Sequence, residues 1–476
     1  MAKEFIIAIE LGSSKMTGIA GKKNLDGSIT VLSVAREDST SCIRKGVVYN
    51  IDRTTAALTN LVKKLKNSLK TEIAQVYVGV GGQSLRSIRN TILKELPDNT
   101  IITQNMVDSI MDGNRAMSYP EQEILEAAIQ EYKVDAQLQI DPVGIQCRRL
   151  EGNFLNILLR SQFYRNLKKC LENAGIHVAE MYLAPLVLAD NVLTDAERRT
   201  GCVLVDLGAD TTTVSVYCRN ILRHLAVIPL GADNITKDIE SMQIDEKTAE
   251  QLKQKFNIAF CEQTPDEVTK IRIDNDRTID SDKLAEIIEA RAEEIIENVW
   301  YQVPAEYKDK LIGGFVLTGG GSNLCNIEQA FRRFTHVDKV RIAKFVNMNV
   351  NAPLPDILPH DGTMNTVISL LAKGDENCAG GDVNNDLFAN ETIQTTGRTV
   401  PGIVSNEEQK RKAEEEARLK KEEEERIAQE KKEEEERIAR EKEEEERKKN
   451  STANKVWGWM KRFGHTIIEG DNENMA

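Results

Sequence analysis

The sequence predicts an α/β protein built as two similar lobes that close on a shared cleft. A small α/β subdomain is inserted in the first lobe, and a charged helical or disordered spacer and a C-terminal amphipathic helix follow the folded part. Three stretches carry this expectation. FIIAIELGSSKMTGIAG and CVLVDLGADTTTVSVY each read strand, acid-glycine turn, strand, roughly 200 residues apart. GGFVLTGGGSNL reads strand, three glycines, helix. A repeated hairpin suggests a duplicated domain facing one cleft.

Taken alone, each hairpin is either an ordinary β-hairpin or an anion site. A glycine in a tight turn lets backbone N–H groups approach an anion. Asp206 is placed to hold a hydrated divalent cation rather than a phosphate. Lys15 can reach phosphate oxygens, with Ser13, Ser14 and their amides beside it; as a lone residue it reads as a solvated surface lysine. The triple glycine Gly319, Gly320 and Gly321 permits close backbone approach to a flat or charged ligand, with a helix N-terminus expected behind it. A plain turn needs only one glycine.

Composition sets the outer limits. With 476 residues, two to four folded units are expected, and 40% hydrophobic residues are enough for large cores. The formal charge of -13 argues against nucleic acid as a partner. The eight cysteines are scattered without a CxxC pair, which suits reduced thiols, and the five dispersed histidines argue against a zinc site. The N-terminus has only Phe5 to Ile9 as an apolar run, so no signal peptide is read. No run reaches the roughly 18 apolar residues of a membrane-crossing helix.

In chain order, residues 1–72 and 161–200 form the first lobe. Ile51 to Leu69 is helical, with Ala57, Leu58, Leu61, Val62 and Leu65 on one face and lysines opposite. Residues 73–160 form the insertion. It opens with the strand Ile73 to Val80, whose Gly79, Gly81 and Gly82 read as a turn, because the lysine and helix of a phosphate loop are missing. Ser161 to Ala174 is a helix stopped by Gly175. Residues 201–233 and 311–374 form the second lobe, and 234–310 its outer part. There Glu250 and Lys253 share a helix face, either as an intrahelical ion pair or as ligand contacts. Ser281 to Val303 is a long helix.

Residues 375–450 are a polar linker and a Glu/Lys/Arg repeat, KEEEERIA at Lys421 and again at Lys432, read as a single solvated helix or a disordered polyampholyte. In residues 451–476 the segment NKVWGWMKRFGHTIIEG changes character. On a helix Val456, Trp457, Met460, Phe463, Ile467 and Ile468 share a face, Lys461 and Arg462 lie to the side, and Trp457 and Trp459 suit headgroup depth. This is an interfacial membrane helix; the alternative is a helix that docks on a partner protein.

Two acid-glycine hairpins, a Glu-x-x-Lys helix and a strand-GGG loop together resemble the actin and chaperone ATPase superfamily. Within it, residues 3–374 resemble the bacterial cell-division FtsA family. The likeness runs through DPVGIQCRRLEG, VLTDAERRTG, NILRHLAVIPLGADNITKDI, IIEARAEEIIENV and GTMNTVISLLAKG, and the amphipathic tail is similar to that family's membrane-targeting segment. The resemblance implies ATP between the lobes, with Mg2+ ordered through water by Glu10 and Asp206. It implies phosphate contacts from Gly12, Ser13, Ser14 and Lys15 on one side and Gly208, Ala209, Asp210 and Thr211 on the other. Glu250 and Lys253 fall at ribose and adenine, Gly319 to Gly321 under the nucleotide, and Gly231 and Asn323 beside it.

The resemblance further implies self-assembly into filaments, other division proteins as partners, and a position on the cytoplasmic side of the inner membrane at midcell. It also implies a site for the C-terminal peptide of the tubulin-like protein FtsZ, with Arg291 pairing an acid and Glu294 and Asn298 near the same face.

The chain departs from the family pattern at Thr213, where many members carry Asp, and at Ala209–Asp210, where many carry Gly-Gly. Asp210 beside a phosphate repels it unless a metal bridges them. Leu183 to Leu188 reads LAPLVL where superfamily hydrolases place a water-orienting Gln or Glu, so slow or negligible hydrolysis is expected. An actin-like adaptor of a pilus or secretion system shares the core but gives no reason for the tail. A sugar or acid kinase needs a catalytic carboxylate over a substrate cleft. A chaperone needs a β-rich domain for which 375–476 has no strand pattern.

Overall fold

The computed structural model describes residues 4–379 except 257, 261–269, 273–277, 353, 356 and 358. The expected spacer and the residues expected to face a membrane, Val456, Trp457, Trp459, Met460, Lys461, Arg462, Phe463, Ile467 and Ile468, lie outside the described residues.

The chain opens with three antiparallel strands, β1 (Ile6–Leu11), β2 (Lys15–Lys23) and β3 (Ile29–Asp38), followed by a short hairpin, β4 (Ile43–Arg44) and β5 (Val47–Val48). Helix α1 (Ile51–Leu69) starts where the Asn50 side chain accepts from the Arg53 amide, and ends at Lys70 with a left-handed φ of 53°. Its periodic leucines Leu58, Leu61 and Leu65 are fully buried. The strand β6 (Val76–Val80) then pairs parallel with β1.

The insertion comprises β7 (Arg86–Ile101), α2 (Gln104–Arg115), β8 (Gln122–Val134), β9 (Gln137–Gln139) and β10 (Gln146–Arg160). Its small core gathers Ile110, Leu150 and Phe154 between helix and sheet. The expected opening of the insertion at Ile73 is corrected: β6 belongs to the first sheet, and the inserted strands begin at Arg86. An all-apolar strand carries no mark of which sheet it joins.

The first lobe resumes with α3 (Ser161–Asn173), β11 (Val178–Leu183), α4 (Ala184–Val192) and α5 (Asp195–Thr200). The second begins with β12 (Cys202–Leu207), β13 (Thr212–Cys218) and β14 (Ile221–Ile228), then α6 (Ala232–Glu240) and α7 (Glu246–Lys255). A small ribbon, β15 (Lys270–Arg272) with β16 (Thr278–Asp280), leads into α8 (Ser281–Gln302) and α9 (Ala305–Lys308). The chain finishes the sheet with β17 (Gly314–Thr318), α10 (Ile327–Thr335) and β18 (Val340–Ile342), and ends in β19 (Val350–Asn351) and α11 (Asn365–Lys373).

Among the described residues one sheet runs β11-β6-β1-β2-β3-β19 and the other β18-β17-β12-β13-β14-β7-β10-β8-β9. The first five strands of each correspond one to one, with parallel and antiparallel pairings in the same places. The duplication expected from two hairpins therefore extends over each lobe's sheet. The inserted strands continue the second sheet through the Ala226–Arg86 bridge.

The expected assignment of 311–374 to the second lobe is also corrected, for the part beyond β18. β19 pairs with β3, and Leu370 and Leu371 of α11 join the core that contains Ile7, Ile9 and Ile19 of the first sheet. Gly21 on β2 makes this seat possible, since a Cβ there would lie 2.7 Å from a Leu371 methyl. Among the described residues Cys42, Cys147, Cys170, Cys202, Cys218 and Cys378 are buried thiols, and Cys325 is exposed. No described helix is long and apolar enough to cross a membrane.

Candidate functional site

The two hairpins match residue for residue. Glu10 lies opposite Thr17 across β1 and β2, and Asp206 lies opposite Thr213 across β12 and β13. Two residues on, Gly12 and Gly208 make the same turn. A Cβ on Gly12 would lie 2.6 Å from the Lys15 carbonyl oxygen, and one on Gly208 would lie 2.8 Å from that of Thr211. Only glycine fits either place. Ser13 thus corresponds to Ala209, Ser14 to Asp210 and Lys15 to Thr211.

Both turns open on a cleft of about 310 Å³, within the range of small-ligand sites. Glu10, Gly12, Ser13, Ser14 and Lys15 line it from the first lobe; Asp206, Gly208, Ala209, Thr211, Glu250, Lys253, Gly319, Gly320 and Gly321 line it from the second. The side chains of Glu250 and Lys253 form an ion pair at 2.6 Å, and the Thr236 hydroxyl bridges them, donating to Glu250 at 2.6 Å and accepting from Lys253 at 2.9 Å. The two residues form the ion pair, and both also line the cleft.

Three predicted contacts stand elsewhere. Asp210 is not on the cleft wall. Its carboxylate accepts the Lys45 backbone N–H at 3.1 Å and lies 3.8 Å from Lys237 Nζ. A carboxylate in a cleft-facing turn is held away from the cleft by donors outside it, and these two supply them. Gly231 packs behind the second turn, where a Cβ would meet the Ala209 carbonyl oxygen at 2.3 Å. Asn323 braces the glycine loop from outside, donating to the Gly320 and Asp361 carbonyls. The glycine loop itself enters a short 3₁₀ turn, Gly320–Asn323, and α10 begins only at Ile327, so the N-terminus of α10 does not directly follow the glycines.

Several lining residues were not singled out in the sequence. Gly79, Gly81 and Gly82, read as a turn, line the cleft from the end of β6. Ile9 pairs with Val78 as Val205 pairs with Leu317, so Gly81 and Gly82 stand in the first lobe where Gly320 and Gly321 stand in the second. A strand ending in Gly-x-Gly-Gly was the available signal. Asp233 and the Lys45–Gly46 turn had none. Ala184 and Pro185 reach the cleft from α4, so the LAPLVL segment does face the ligand space and brings no polar side chain to it.

The lining carries the carboxyls of Glu10, Asp206, Asp233 and Glu250 against the ammonium groups of Lys15 and Lys253. Burial pushes Glu10 up to about 8, helped by the Asp206 charge and opposed by Lys15. Burial likewise pushes Asp206 up to about 6 and raises Asp233. A polyphosphate entering this surface needs additional positive charge. Glu10 and Asp206, one from each lobe, are hard oxygen donors suited to a hydrated Mg2+. They are too few for a dry metal cage, and no cluster of three or more metal-binding side chains occurs among the described residues.

The family model described as "Cell division protein FtsA" matches residues 203–355, and that described as "SHS2 domain inserted in FTSA" matches 82–158, the inserted strands. The chain is 31% identical to the cell division protein FtsA of Neisseria meningitidis serogroup B, over 68% of this chain and 80% of that protein. It is 30% identical to the FtsA of Porphyromonas gingivalis, over 68% of this chain and 70% of that one. The chain belongs to the FtsA family. It is thus an actin-like cell-division protein. A solved structure described as "PilM-PilN type IV pilus biogenesis complex" shares the FtsA-like fold, with TM-score 0.54 and 14% identity over 79% of this chain and 100% of that one.

On the outer face of this FtsA-family chain, Arg291 on α8 is engaged within the protein. Its guanidinium donates to both carboxylate oxygens of Asp238 on α6, at 2.6 and 2.9 Å, and to Glu294. Asn298 donates to the Glu294 carbonyl. Exchanging these partners for an external acid costs the existing pair first.

Proposed function

We propose that the chain binds ATP with Mg2+ between its lobes, assembles into filaments at midcell, anchors the FtsZ ring to the cytoplasmic face of the inner membrane, and recruits later division proteins. One observation supports the nucleotide reading best. Two equivalent turns present an acid each, Glu10 and Asp206, and one lysine, Lys15, to a cleft lined on both sides by glycine loops. When bound, Mg2+ supplies the positive charge that this acid-rich lining lacks. Glu10 and Asp206 hold its waters, Lys15 and the turn amides hold phosphate oxygens, and the Glu250–Lys253 pair meets ribose and base.

Calorimetric titration tests this. ATP binding in Mg2+ that is lost in EDTA is the expected outcome; equal binding in both rejects the metal role. Hydrolysis is slow in this reading, because Ala184 and Pro185 stand where a water-orienting side chain would be needed. A fast single-turnover ATPase rate rejects it.

Membrane anchoring rests on the aromatic and basic pattern of residues 451–476. Its test is co-sedimentation with liposomes, with and without those residues. The FtsZ peptide reading rests on α8, where an acidic peptide displaces Asp238 from Arg291. Peptide binding unchanged by Arg291→Glu rejects it.

A further inference from the structure

The Lys45–Gly46 turn between β4 and β5 carries two consecutive left-handed residues, with φ of 51° and 71°. This tight reversal points adjacent backbone amides at different targets. The Gly46 N–H donates to the Ser13 hydroxyl oxygen at 2.9 Å, in the first lobe's phosphate turn. The Lys45 N–H donates to the Asp210 carboxylate at 3.1 Å, in the second lobe's turn. Lys45 Nζ crosses the same gap, donating to the Pro229 carbonyl at 2.6 Å and to the Asp210 carbonyl at 3.4 Å. The Lys45 carbonyl accepts from the Gln83 amide at 2.7 Å, beside the glycine loop of β6. Gly46 and Gly82 touch so closely that a Cβ on either would overlap the other's backbone.

One short turn is therefore fastened to both phosphate turns and to one glycine loop. The Ser13 hydroxyl, with an oxygen lone pair taken by Gly46, keeps its O–H to donate into the cleft. Asp210, with its side chain only 13% exposed, is held out of the cleft instead of repelling a phosphate.

We propose that the Lys45–Gly46 turn is a strap that retains bound nucleotide: the Lys45–Asp210 contact ties the second lobe's phosphate turn to the first lobe, and nucleotide leaves when that contact opens. The proposal rests on the nucleotide reading above and adds the step that limits release.

The test is stopped-flow release of a fluorescent ATP analogue from the full chain in Mg2+, chased with unlabelled ATP. Asp210→Ala removes the charged acceptor and is expected to speed release about tenfold. Asp210→Asn keeps an amide oxygen for the Lys45 N–H and stays within about threefold of wild type. Lys45→Ala falls between, losing the Nζ bonds but keeping the backbone donor. The double variant releases faster than either single variant, because Asp210→Ala removes the acceptor of the Lys45 N–H and Lys45→Ala removes the separate Nζ bonds. Equal release from wild type and Asp210→Ala overturns the strap. A wild type that binds no analogue overturns the nucleotide reading itself, a result distinct from bound nucleotide with unaltered release.

Discussion

Glu10 faces Thr17 in the first hairpin as Asp206 faces Thr213 in the second, and a Cβ on Gly12 or Gly208 would meet the carbonyl three residues ahead at nearly equal distances, 2.6 and 2.8 Å. Around this shared backbone almost every other group differs. The first turn carries Ser13, Ser14 and Lys15. Its Gly12 carbonyl accepts from the Ser39 hydroxyl at 2.6 Å. The second carries Ala209, Asp210 and Thr211, and its Gly208 and Ala209 carbonyls accept from the first amides of α6 at 3.0 and 2.8 Å. In the proposed nucleotide reading, the glycine and the acid are where an anion and its cation sit. The remaining turn positions differ: of the two turns only the first carries a positive charge, and the second is fixed to a helix with its acid turned toward Lys45.

The largest effect that tests this division is at the acids. In the nucleotide-free protein burial pushes Glu10 up to about 8 and Asp206 up to about 6. Near pH 7.5 Asp206 is the charged member and Glu10 holds a proton that a cation must displace. Asp206→Asn is therefore expected to weaken Mg2+-ATP binding about 100-fold and Glu10→Gln about tenfold, by calorimetry. Equal losses break the asymmetry. Next in size is the lysine. Lys15→Ala removes a charge and is expected to weaken binding about 30-fold, whereas Thr211→Ala at the equivalent place stays within about threefold. A comparable loss at Thr211 shows that both turns hold phosphate equally.

The hairpins, α1, α8 and the triple glycine were legible because local pattern decides them: continuous apolar runs leading into Gly12 and Gly208, and leucines at helical spacing. What stayed hidden depends on contacts between distant segments. Nothing in VYVGV says that β6 joins β1, or that the buried α11 returns to the first sheet. Asp210 read as a phosphate neighbour because its partner, Lys45, lies 165 residues earlier in the chain. The match of Gly81 and Gly82 to Gly320 and Gly321 needed the strand register. It also makes a prediction of its own. A Cβ on Gly81 meets nothing within 4 Å, and one on Gly320 meets only a Thr363 methyl at 3.7 Å. Gly81→Ala and Gly320→Ala should each leave Tm within about 1 °C yet weaken nucleotide binding about fivefold by blocking close backbone approach. A loss at Gly320 alone would confine the nucleotide to the second lobe's glycines.

The smallest expected effect is on stability. Glu10 ordinarily titrates at 4.5 and is pushed up to about 8 in the fold, so the folded protein binds this proton more tightly than the unfolded chain. Its contribution is fully present below pH 4.5 and is lost as pH rises through 8. Asp206 acts in the same direction at lower pH. Glu197 acts in the opposite one: Arg341, donating at 2.6 and 2.8 Å, holds its carboxyl below the usual range, and that contribution disappears only in acid. Between pH 6 and 9 Glu10 therefore sets the slope, and the Tm of nucleotide-free protein should fall by about 5 °C across that window. Glu10→Gln should flatten the profile. Asp206→Asn should move the fall to lower pH, since it removes the neighbouring charge that helps to raise Glu10. A profile that keeps its slope in Glu10→Gln would place the proton elsewhere. One unmoved by Asp206→Asn would show that the acids of the two turns do not sense each other across the cleft, which the shared-cation reading requires of them.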